Sequence, residues 1–314
     1  MIKPLLALVG PTASGKTEIA ALLSKKIPLE VIYCDSMQVY RGMPILTQAS
    51  ATAHLASFLS LSQEYNAAKF RKDSLSWIEK ILKRKKIPCL LGGTGLYLRA
   101  LLDGLFETDA GSSFDGVFRK KMLELHEKHG APFLHEKLKT VDPPSAAKIH
   151  PNDLRRIIRA LEVHRLSGKP MSEQKPNRKG IRGEFDCKIS FLDCDRAALY
   201  ERINRRVDKM LKEGLVEEVR KIRKKKLSQT AGMALGIREI GAYLDKKIPL
   251  KEAAELLRKN TRNYAKRQIA WFRHEKGVTF VPVLPNDSAK HVTAVIADLI
   301  SRGHVSFADV SPRP

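Results

Sequence analysis

Eight residues near the start of the chain have the types and the spacing that bind phosphate: Gly10, Pro11, Thr12, Ala13, Ser14, Gly15, Lys16 and Thr17. An apolar run precedes them and a helical pattern follows, which is the strand–loop–helix context of a P-loop. The glycines let backbone N–H groups approach an anion, the helix N-terminus adds a positive dipole end, and Lys16 adds a cation. Because the Thr17 hydroxyl is placed to ligate Mg²⁺, we predict a phosphate site with a magnesium ion.

Two further strand ends contribute polar residues to the same region. The pattern predicts a strand over 29–34 that ends at Asp35, and a strand over 87–91 that Gly92-Gly93-Thr94-Gly95 follows. The carboxyl ends of parallel strands border the ligand crevice of an open sheet. Asp35 is therefore a candidate magnesium ligand, general base or helix cap. The glycine segment is either a wall of the crevice or a tight turn.

The charge of the chain narrows the class of partner. Its 314 residues include 57 Lys and Arg against 34 Asp and Glu, which gives a formal charge of +23. A surplus of this size favours a polyanion, and nucleic acid fits it better than a membrane surface. No apolar run reaches the length of a bilayer-spanning helix, so we expect a cytoplasmic protein without a membrane partner. We also expect it to be a monomer. The four cysteines lack zinc-ligand spacing.

The middle of the chain has the pattern of a helical insertion, without a convincing strand. Within it, Arg155, Arg156 and Arg159 share one face of a helix, while apolar residues that include Ile157 and Ile158 share another. The arginine face is either a phosphate-contacting surface or a solvated helix surface, and the basic surplus of the whole chain favours the former.

The last third of the chain is basic and mostly helical. We predict helices over 196–212, 215–226, 251–274 and 288–302, and strands over 187–193 and 278–281. The helix over 251–274 interleaves cations with aromatic residues, which suits either a groove for a nucleic-acid backbone or a packed core. The fold prediction is α/β: a P-loop NTPase-like three-layer core with a parallel sheet over 1–108 and 184–314, plus an all-helical insertion domain over 109–183.

The P-loop by itself leaves the activity open. The strand over 87–91 ends in glycines, so no second acidic motif completes an ATPase, and Asp35 is the acid placed to serve either the metal or an acceptor. A P-loop kinase of a nucleoside or small metabolite fits these residues, although it leaves the basic surplus and the insertion without a purpose. A P-loop protein that binds nucleic acid without catalysis fits them as well.

Six segments in the expected order resemble the tRNA dimethylallyltransferases, the tRNA isopentenyltransferases of the bacterial P-loop type. The segments are the P-loop, Asp35-Ser36-Met37-Gln38-Val39-Tyr40-Arg41-Gly42-Met43, Gly92-Gly93-Thr94-Gly95-Leu96-Tyr97, His150-Pro151-Asn152-Asp153, Tyr200-Glu201-Arg202-Ile203-Asn204-Arg205-Arg206-Val207-Asp208 and Arg262-Asn263-Tyr264-Ala265-Lys266-Arg267-Gln268. The resemblance covers nearly the whole chain. It is interrupted over 44–62, where this sequence departs from the family pattern.

The resemblance implies transfer of a dimethylallyl group from dimethylallyl diphosphate to the exocyclic amine of the adenosine 3′ of the anticodon, in tRNAs that read codons beginning with U. It implies that Lys16, Thr17 with Mg²⁺, and Arg238 hold the diphosphate, and that Asp35 is the general base. The implied contacts with the anticodon stem-loop are Asp35, Ser36, Met37, Gln38, Thr94, Arg155, Arg156, Ile157, Ile158 and Arg159.

Overall fold

A computed structural model describes residues 3–49, 52–105, 115–174 and 179–302. The chain divides into two compact units, one made of Met1–Leu102 with Arg182–Pro314 and the other of Asp103–Ile181. The boundaries drawn from the sequence lie after residues 108 and 183, and the first of these is outside the described residues. Among the described helices, none is both long and apolar enough to cross a bilayer.

The first unit is built on a five-stranded sheet whose strands are all parallel. The strands are β1 Lys3–Val9, β2 Leu29–Cys34, β3 Ile87–Gly92, β4 Phe185–Cys194 and β5 Val278–Val283. Their order across the sheet is β2-β3-β1-β4-β5. In β1, Leu5 to Val9 are all buried, as expected of a strand that is covered by helices on both faces. The predicted parallel sheet is confirmed.

Fourteen α-helices fall within the described residues. They are α1 Lys16–Leu23, α2 Pro44–Thr47, α3 Ala67–Lys83, α4 Gly95–Leu102, α5 Gly116–His129, α6 Ala131–Val141, α7 Pro143–Ala146, α8 Leu154–Ser167, α9 Met171–Gln174, α10 Arg196–Lys212, α11 Leu215–Arg223, α12 Ile237–Leu244, α13 Leu250–Arg273 and α14 Ala289–Arg302. The bounds of α10 match the prediction. The prediction that α11 continues to 226 was wrong, because the chain turns so that the Ser228 N–H donates to the Leu61 carbonyl at 2.8 Å.

Helices cover both faces of the sheet and form three layers. On one face, α1 and α14 pack with Leu6 and Leu8 of β1 in a single apolar cluster. On the other face, Phe191 of β4 lies 5.3 Å from Phe272 of α13, measured between ring centroids. Burying each such side chain stabilises the fold by about 1.5–3 kcal/mol. This core fixes the sheet whose carboxyl edge holds the polar loops.

The second unit has a core of its own. Leu134 and Leu138 of α6 pack with Ile157 and Val163 of α8, and all four side chains are fully buried. The described part of this unit contains helices and no strand. The amphipathic pattern of α8 therefore serves an interior that is separate from the sheet.

Candidate active site

The three loops that the sequence singled out emerge side by side from one edge of the sheet. Gly92 at the end of β3 is level with Val9 of β1 and with Cys34 of β2. A Cβ atom at Gly92 would lie 2.1 Å from the Cys34 carbonyl oxygen, so only glycine allows this approach. The register thus brings the P-loop, the Asp35 loop and the Gly93–Thr94 turn to the same edge.

The P-loop has the backbone conformation that the glycine spacing predicts. Ala13 and Gly15 have φ of +64° and +87°, and α1 begins directly after Gly15. The Lys16 ammonium lies across the loop, where it donates to the carbonyls of Gly10 at 3.0 Å and Pro11 at 2.6 Å. Burial lowers the pKa of Lys16 to about 8, although the nearby Asp35 charge opposes the shift. The charged form of Lys16 is therefore less stable in this loop than it is in water.

Thr17 lies on the exposed first turn of α1, next to this lysine. Its hydroxyl has no hydrogen-bond partner among the described residues, so an oxygen ligand is free. Within the described ranges, no three His, Cys, Asp or Glu side chains gather to hold a metal ion. One hydroxyl, completed by phosphate oxygens of a ligand and by water, is a donor set that would suit Mg²⁺, which usually keeps several waters.

Asp35 has one oxygen engaged and one available. Oδ1 accepts hydrogen bonds from the backbone N–H groups of Met37 at 2.8 Å and Gln38 at 3.4 Å, so this side chain does cap its own loop. Oδ2 has no hydrogen-bond partner among the described residues. The Asp35 charge acts on Lys16 and on Arg206, where it raises both pKa values against the effect of burial. The carboxylate therefore lies beside the P-loop cations.

Thr94 links the Gly93–Thr94 turn to the Asp35 loop. Its Oγ1 accepts a hydrogen bond from the Ser36 N–H at 3.3 Å, and its side chain lies near Tyr264 of α13. Burial, strengthened by the Asp35 charge, raises the pKa of Tyr264 above its usual value, so this phenol stays protonated. Gln38 donates through Nε2 to the Thr47 carbonyl at 3.3 Å, in the described part of the segment that departs from the family pattern.

Two site residues were missed by the sequence reasoning. Arg206 of α10 donates to the Thr12 hydroxyl at 3.1 Å, and burial lowers its pKa. Gln268 of α13 accepts from the Thr12 N–H at 2.9 Å and donates to the Gly93 carbonyl at 3.0 Å. Gln268 is only 5% exposed, so it is a buried brace between the P-loop and the glycine turn. Both residues lie in segments that carry the family resemblance, but their partners are 175 to 256 positions away.

The remaining predicted residues are placed differently. Arg238 is exposed at the start of α12 and has no ion-pair or hydrogen-bond partner among the described residues. In the second unit, Ile157 and Ile158 are 0% and 6% exposed, so their side chains belong to the core. Arg159 donates to the buried Glu162 at 2.7 Å.

Only Arg155 and Arg156 of the predicted α8 contacts are exposed. Arg156 lies 3.4 Å from Asp153, the residue whose carboxylate caps the helix. Arg155 has no such partner within the described part of the chain. The three arginines that the sequence predicts to form one surface therefore differ in ion pairing: Arg155 is unpaired among the described residues, Arg156 lies beside Asp153, and Arg159 is paired with Glu162.

Comparisons with known proteins identify the family of this chain. The family model described as IPP transferase matches residues 38–275. A tRNA dimethylallyltransferase of Carboxydothermus hydrogenoformans is 43% identical over 88% of this chain and 90% of its own length. Another, from Moorella thermoacetica, is 40% identical over 96% of each chain.

Two solved structures share the fold. A full-length tRNA isopentenylpyrophosphate transferase from Bacillus halodurans is 35% identical and superposes with a TM-score of 0.68 over 98% of both chains. A eukaryotic dimethylallyltransferase acting on tRNA is 28% identical, with a TM-score of 0.79 over 96% of this chain and 80% of its own. A family model that spans most of the sequence, relatives of near-equal length and a P-loop beside an acidic loop lead to one conclusion: this chain belongs to the IPP transferase family.

Proposed function

We propose that this protein transfers a dimethylallyl group from dimethylallyl diphosphate to the exocyclic amine of the tRNA adenosine 3′ of the anticodon, in tRNAs that read codons beginning with U. The observation that carries the proposal is the pair of hydrogen bonds made by the Gln268 side-chain amide, one with the P-loop and one with the Gly93 turn. A diphosphate site and a base-reading loop are then held at a fixed separation. The names of the relatives give tRNA as the molecule that those proteins act on and dimethylallyl as the group that they transfer, which supports the proposal.

The donor site is built from cations that form no ion pair among the described residues. Lys16 and Arg206 are cations beside the loop, and the loop backbone offers N–H groups at the start of α1. In our proposal these groups hold the donor diphosphate, with exposed Arg238 as a further contact. Mg²⁺, held through Thr17, would neutralise diphosphate charge. A leaving group stabilised in this way lowers the barrier to breaking the bond between carbon and oxygen.

The acceptor amine is a weak nucleophile, so its position and its proton must be controlled. The amine nitrogen attacks C1 of the dimethylallyl group as the C1–O bond breaks and diphosphate leaves. The nitrogen then loses a proton, and the free Oδ2 of Asp35 accepts it. The other Asp35 oxygen is fixed by the Met37 N–H, which keeps the carboxylate in place.

The adenosine must leave its stack to reach this edge, as in other enzymes that modify a base. Thr94, Ser36, Met37 and Gln38 line the loops next to Asp35 and are proposed to read the flipped base. Arg155 and Arg156 of α8 are proposed to contact the anticodon arm, with Arg159 and the backbone at Ile157 and Ile158 behind them. We further propose that the protein acts as a monomer in the cytoplasm, where its tRNA substrate is found.

Mass spectrometry of nucleosides tests the reaction directly. Unmodified tRNA is incubated with the protein, dimethylallyl diphosphate and Mg²⁺, and is then digested. We expect an isopentenylated adenosine that is absent with the Lys16→Ala variant. Consumption of ATP with a small acceptor would favour a kinase instead, and tRNA binding without product would favour a non-catalytic binding protein.

A further inference from the structure

The short helix α2 is held at its start by a carboxylate from a distant part of the chain. Glu218 of α11 accepts the backbone N–H of Ile45 through Oε2 and that of Leu46 through Oε1, both at 2.9 Å. The two partners lie 173 and 172 positions away from it. Glu218 therefore joins α11 to the segment over 44–62, where this sequence departs from the family pattern, and it lies outside the six segments that carry the resemblance.

These two hydrogen bonds replace the cap that α2 cannot make for itself. The first N–H groups of a helix need acceptors from outside the helix, and the residue before the helix usually supplies one. Met43 occupies that position here and makes no capping hydrogen bond through its side chain, while Pro44 has no N–H. Because a helix of four residues is not stable alone, α2 relies on the rest of the fold, and Glu218 supplies the two acceptors that its N-terminus needs.

The burial of Glu218 is not compensated by a cation. The residue is 8% exposed and forms no ion pair among the residues that the structure describes. Burial raises the pKa of its carboxyl group, although the hydrogen bonds from α2 oppose the shift. In contrast, the buried carboxylates of Glu162 and Glu275 are each paired with two arginines. Burying a carboxylate costs free energy, so the position of Glu218 is explained by α2 rather than by a salt bridge.

The other end of α2 holds a residue of the proposed base-reading loop. The Thr47 carbonyl accepts a hydrogen bond from Gln38 Nε2 at 3.3 Å. The side-chain oxygen of Gln38 has no partner among the described residues, so it can accept a hydrogen bond from a base. The Gln38 N–H donates to Asp35 Oδ1 at 3.4 Å, so the same residue also contacts the proposed general base. Helix α2 therefore fixes a side-chain amide next to Asp35.

Helix α2 also packs against the start of α12. A Cβ atom at Gly236 would lie 2.6 Å from Cδ2 of Leu46, and Gly236 has a φ of +104°, so only glycine allows this approach. Arg238, the further diphosphate contact of our proposal, follows two residues later. Helix α2 thus contacts the base-reading loop through its C-terminal end and the element that carries Arg238 through its side.

We propose that Glu218 is a positioning residue of the transfer reaction: by holding α2, it holds the Gln38 amide where the flipped adenosine is read. This inference rests on the proposed function and adds to it a residue that acts through another residue. The alternative is that the carboxylate only stabilises the packing of α11. The two roles differ in whether the effect of losing Glu218 depends on the Gln38 side chain.

A double-mutant cycle between Glu218 and Gln38 tests the proposal. Glu218→Gln replaces one carboxylate oxygen by an amide group that cannot accept from α2, so kcat/KM for tRNA at saturating donor should fall by roughly 3- to 10-fold. Gln38→Ala should lower kcat/KM at least as much, and the double variant should match Gln38→Ala within about twofold. A carboxylate that only stabilises the fold would lower kcat/KM by the same factor in both backgrounds, and that additive result would overturn the proposal.

The matched control is Glu64→Gln. Glu64 is exposed and accepts hydrogen bonds from the Thr230 N–H at 3.4 Å and the Thr230 hydroxyl at 2.7 Å, so it also joins this part of the chain to the residues that follow α11. Among the described residues it makes no hydrogen bond to α2. Its kcat/KM should stay within about twofold of the wild-type value. Equal losses in Glu64→Gln and Glu218→Gln would contradict a specific role for Glu218.

Hydrogen exchange followed by mass spectrometry gives a readout that does not depend on activity. The peptide that covers 44–49 should exchange faster in Glu218→Gln than in the wild type or in Glu64→Gln, because two of its amides lose acceptor strength. Peptides from β1 and β4 should exchange as in the wild type, which shows that the variant is folded. Unchanged exchange over 44–49 would show that Glu218 does not hold α2.

The dissociation constant of tRNA separates this inference from the proposed function. If the wild-type protein forms no isopentenylated adenosine, the same cycle is measured in tRNA binding. Non-additive losses of affinity would then support the positioning role, while the proposed reaction falls. If the wild type forms product and the losses in kcat/KM are additive, the reaction stands and the positioning role falls.

Discussion

Two positively charged regions of this chain differ in what balances their charge. At the sheet edge, Lys16 and Arg206 form no ion pair among the described residues, and Asp35 is the carboxylate that acts on both. On α8, Arg159 shares the buried Glu162 with Arg119, at 2.7 and 2.6 Å. A half-buried cation without an ion-pair partner is stabilised when an anionic ligand binds beside it. Unpaired charge therefore lies at the proposed binding edge, and the Arg159 charge on α8 is paired within the fold.

The largest expected effect is at Asp35, because it combines the balancing charge with the proposed proton acceptor. Asp35→Asn keeps the hydrogen bonds to the Asp35 loop but removes the base, so we expect single-turnover modification to slow by roughly 100-fold or more. Affinity for tRNA should not change. Turnover at the wild-type rate would remove Asp35 from the mechanism and leave it only as a cap.

The pH dependence of donor binding probes the unpaired lysine. In the proposed site Lys16 holds diphosphate as a protonated cation, and its pKa in the free protein is lowered to about 8. A bound diphosphate raises that pKa, so above pH 8 the dissociation constant of the donor should rise by up to about tenfold per pH unit. In Lys16→Arg the charge persists at these pH values, and the rise should disappear. Wild-type and variant curves with the same shape above pH 8 would contradict the role of Lys16.

The paired region should respond in stability rather than in binding. Hydrogen bonds from Arg119 and Arg159 hold the pKa of Glu162 low against the effect of burial. Both arginines are about one-third exposed, so solvent screens part of their interaction with Glu162. We therefore expect Glu162→Gln to lower the free energy of unfolding by only ~1–3 kcal/mol. Denaturant titration measures this, with Glu136→Gln, an exposed partner of Lys139, as the control. Equal losses in both variants would show that burial of the pair does not matter.

The smallest expected effect distinguishes the arginines of α8 from one another. Arg155 is exposed and unpaired among the described residues, so Arg155→Ala should flatten the salt slope of tRNA binding by about 0.7–0.9. Adding Arg156→Ala should flatten the slope further, by less than Arg155→Ala does, because Asp153 already offsets its charge. Arg159→Ala should leave the slope unchanged and lower stability instead, because its charge is held by Glu162. If Arg155→Ala and Arg159→Ala flatten the salt slope of tRNA binding equally, ion pairing does not decide which arginine contacts the RNA.

The sequence by itself determined the elements and the local motif. Strand β2, helix α10 and the P-loop follow from nearest-neighbour patterns, namely apolar runs, a helix period and glycine spacing, and they are found where those patterns place them. Helix α11 is the exception, because its C-terminal end depends on a hydrogen bond to Leu61 that the local basic run does not encode. Strand ends that border a parallel sheet also placed Asp35 and Thr94 at the edge.

Only the tertiary structure decided which side chains contact one another at this edge of the sheet and which charged side chains have no ion-pair partner. Gln268 reaches Thr12 across 256 positions, and Arg206 reaches it across 194, so no local spacing predicts either contact. Likewise, the composition counts every arginine alike, but packing buries Glu162 beside Arg159 and leaves Arg196 without a carboxylate. Electrostatic energy depends on distances in space and on burial, and both are set by how the helices pack on the sheet.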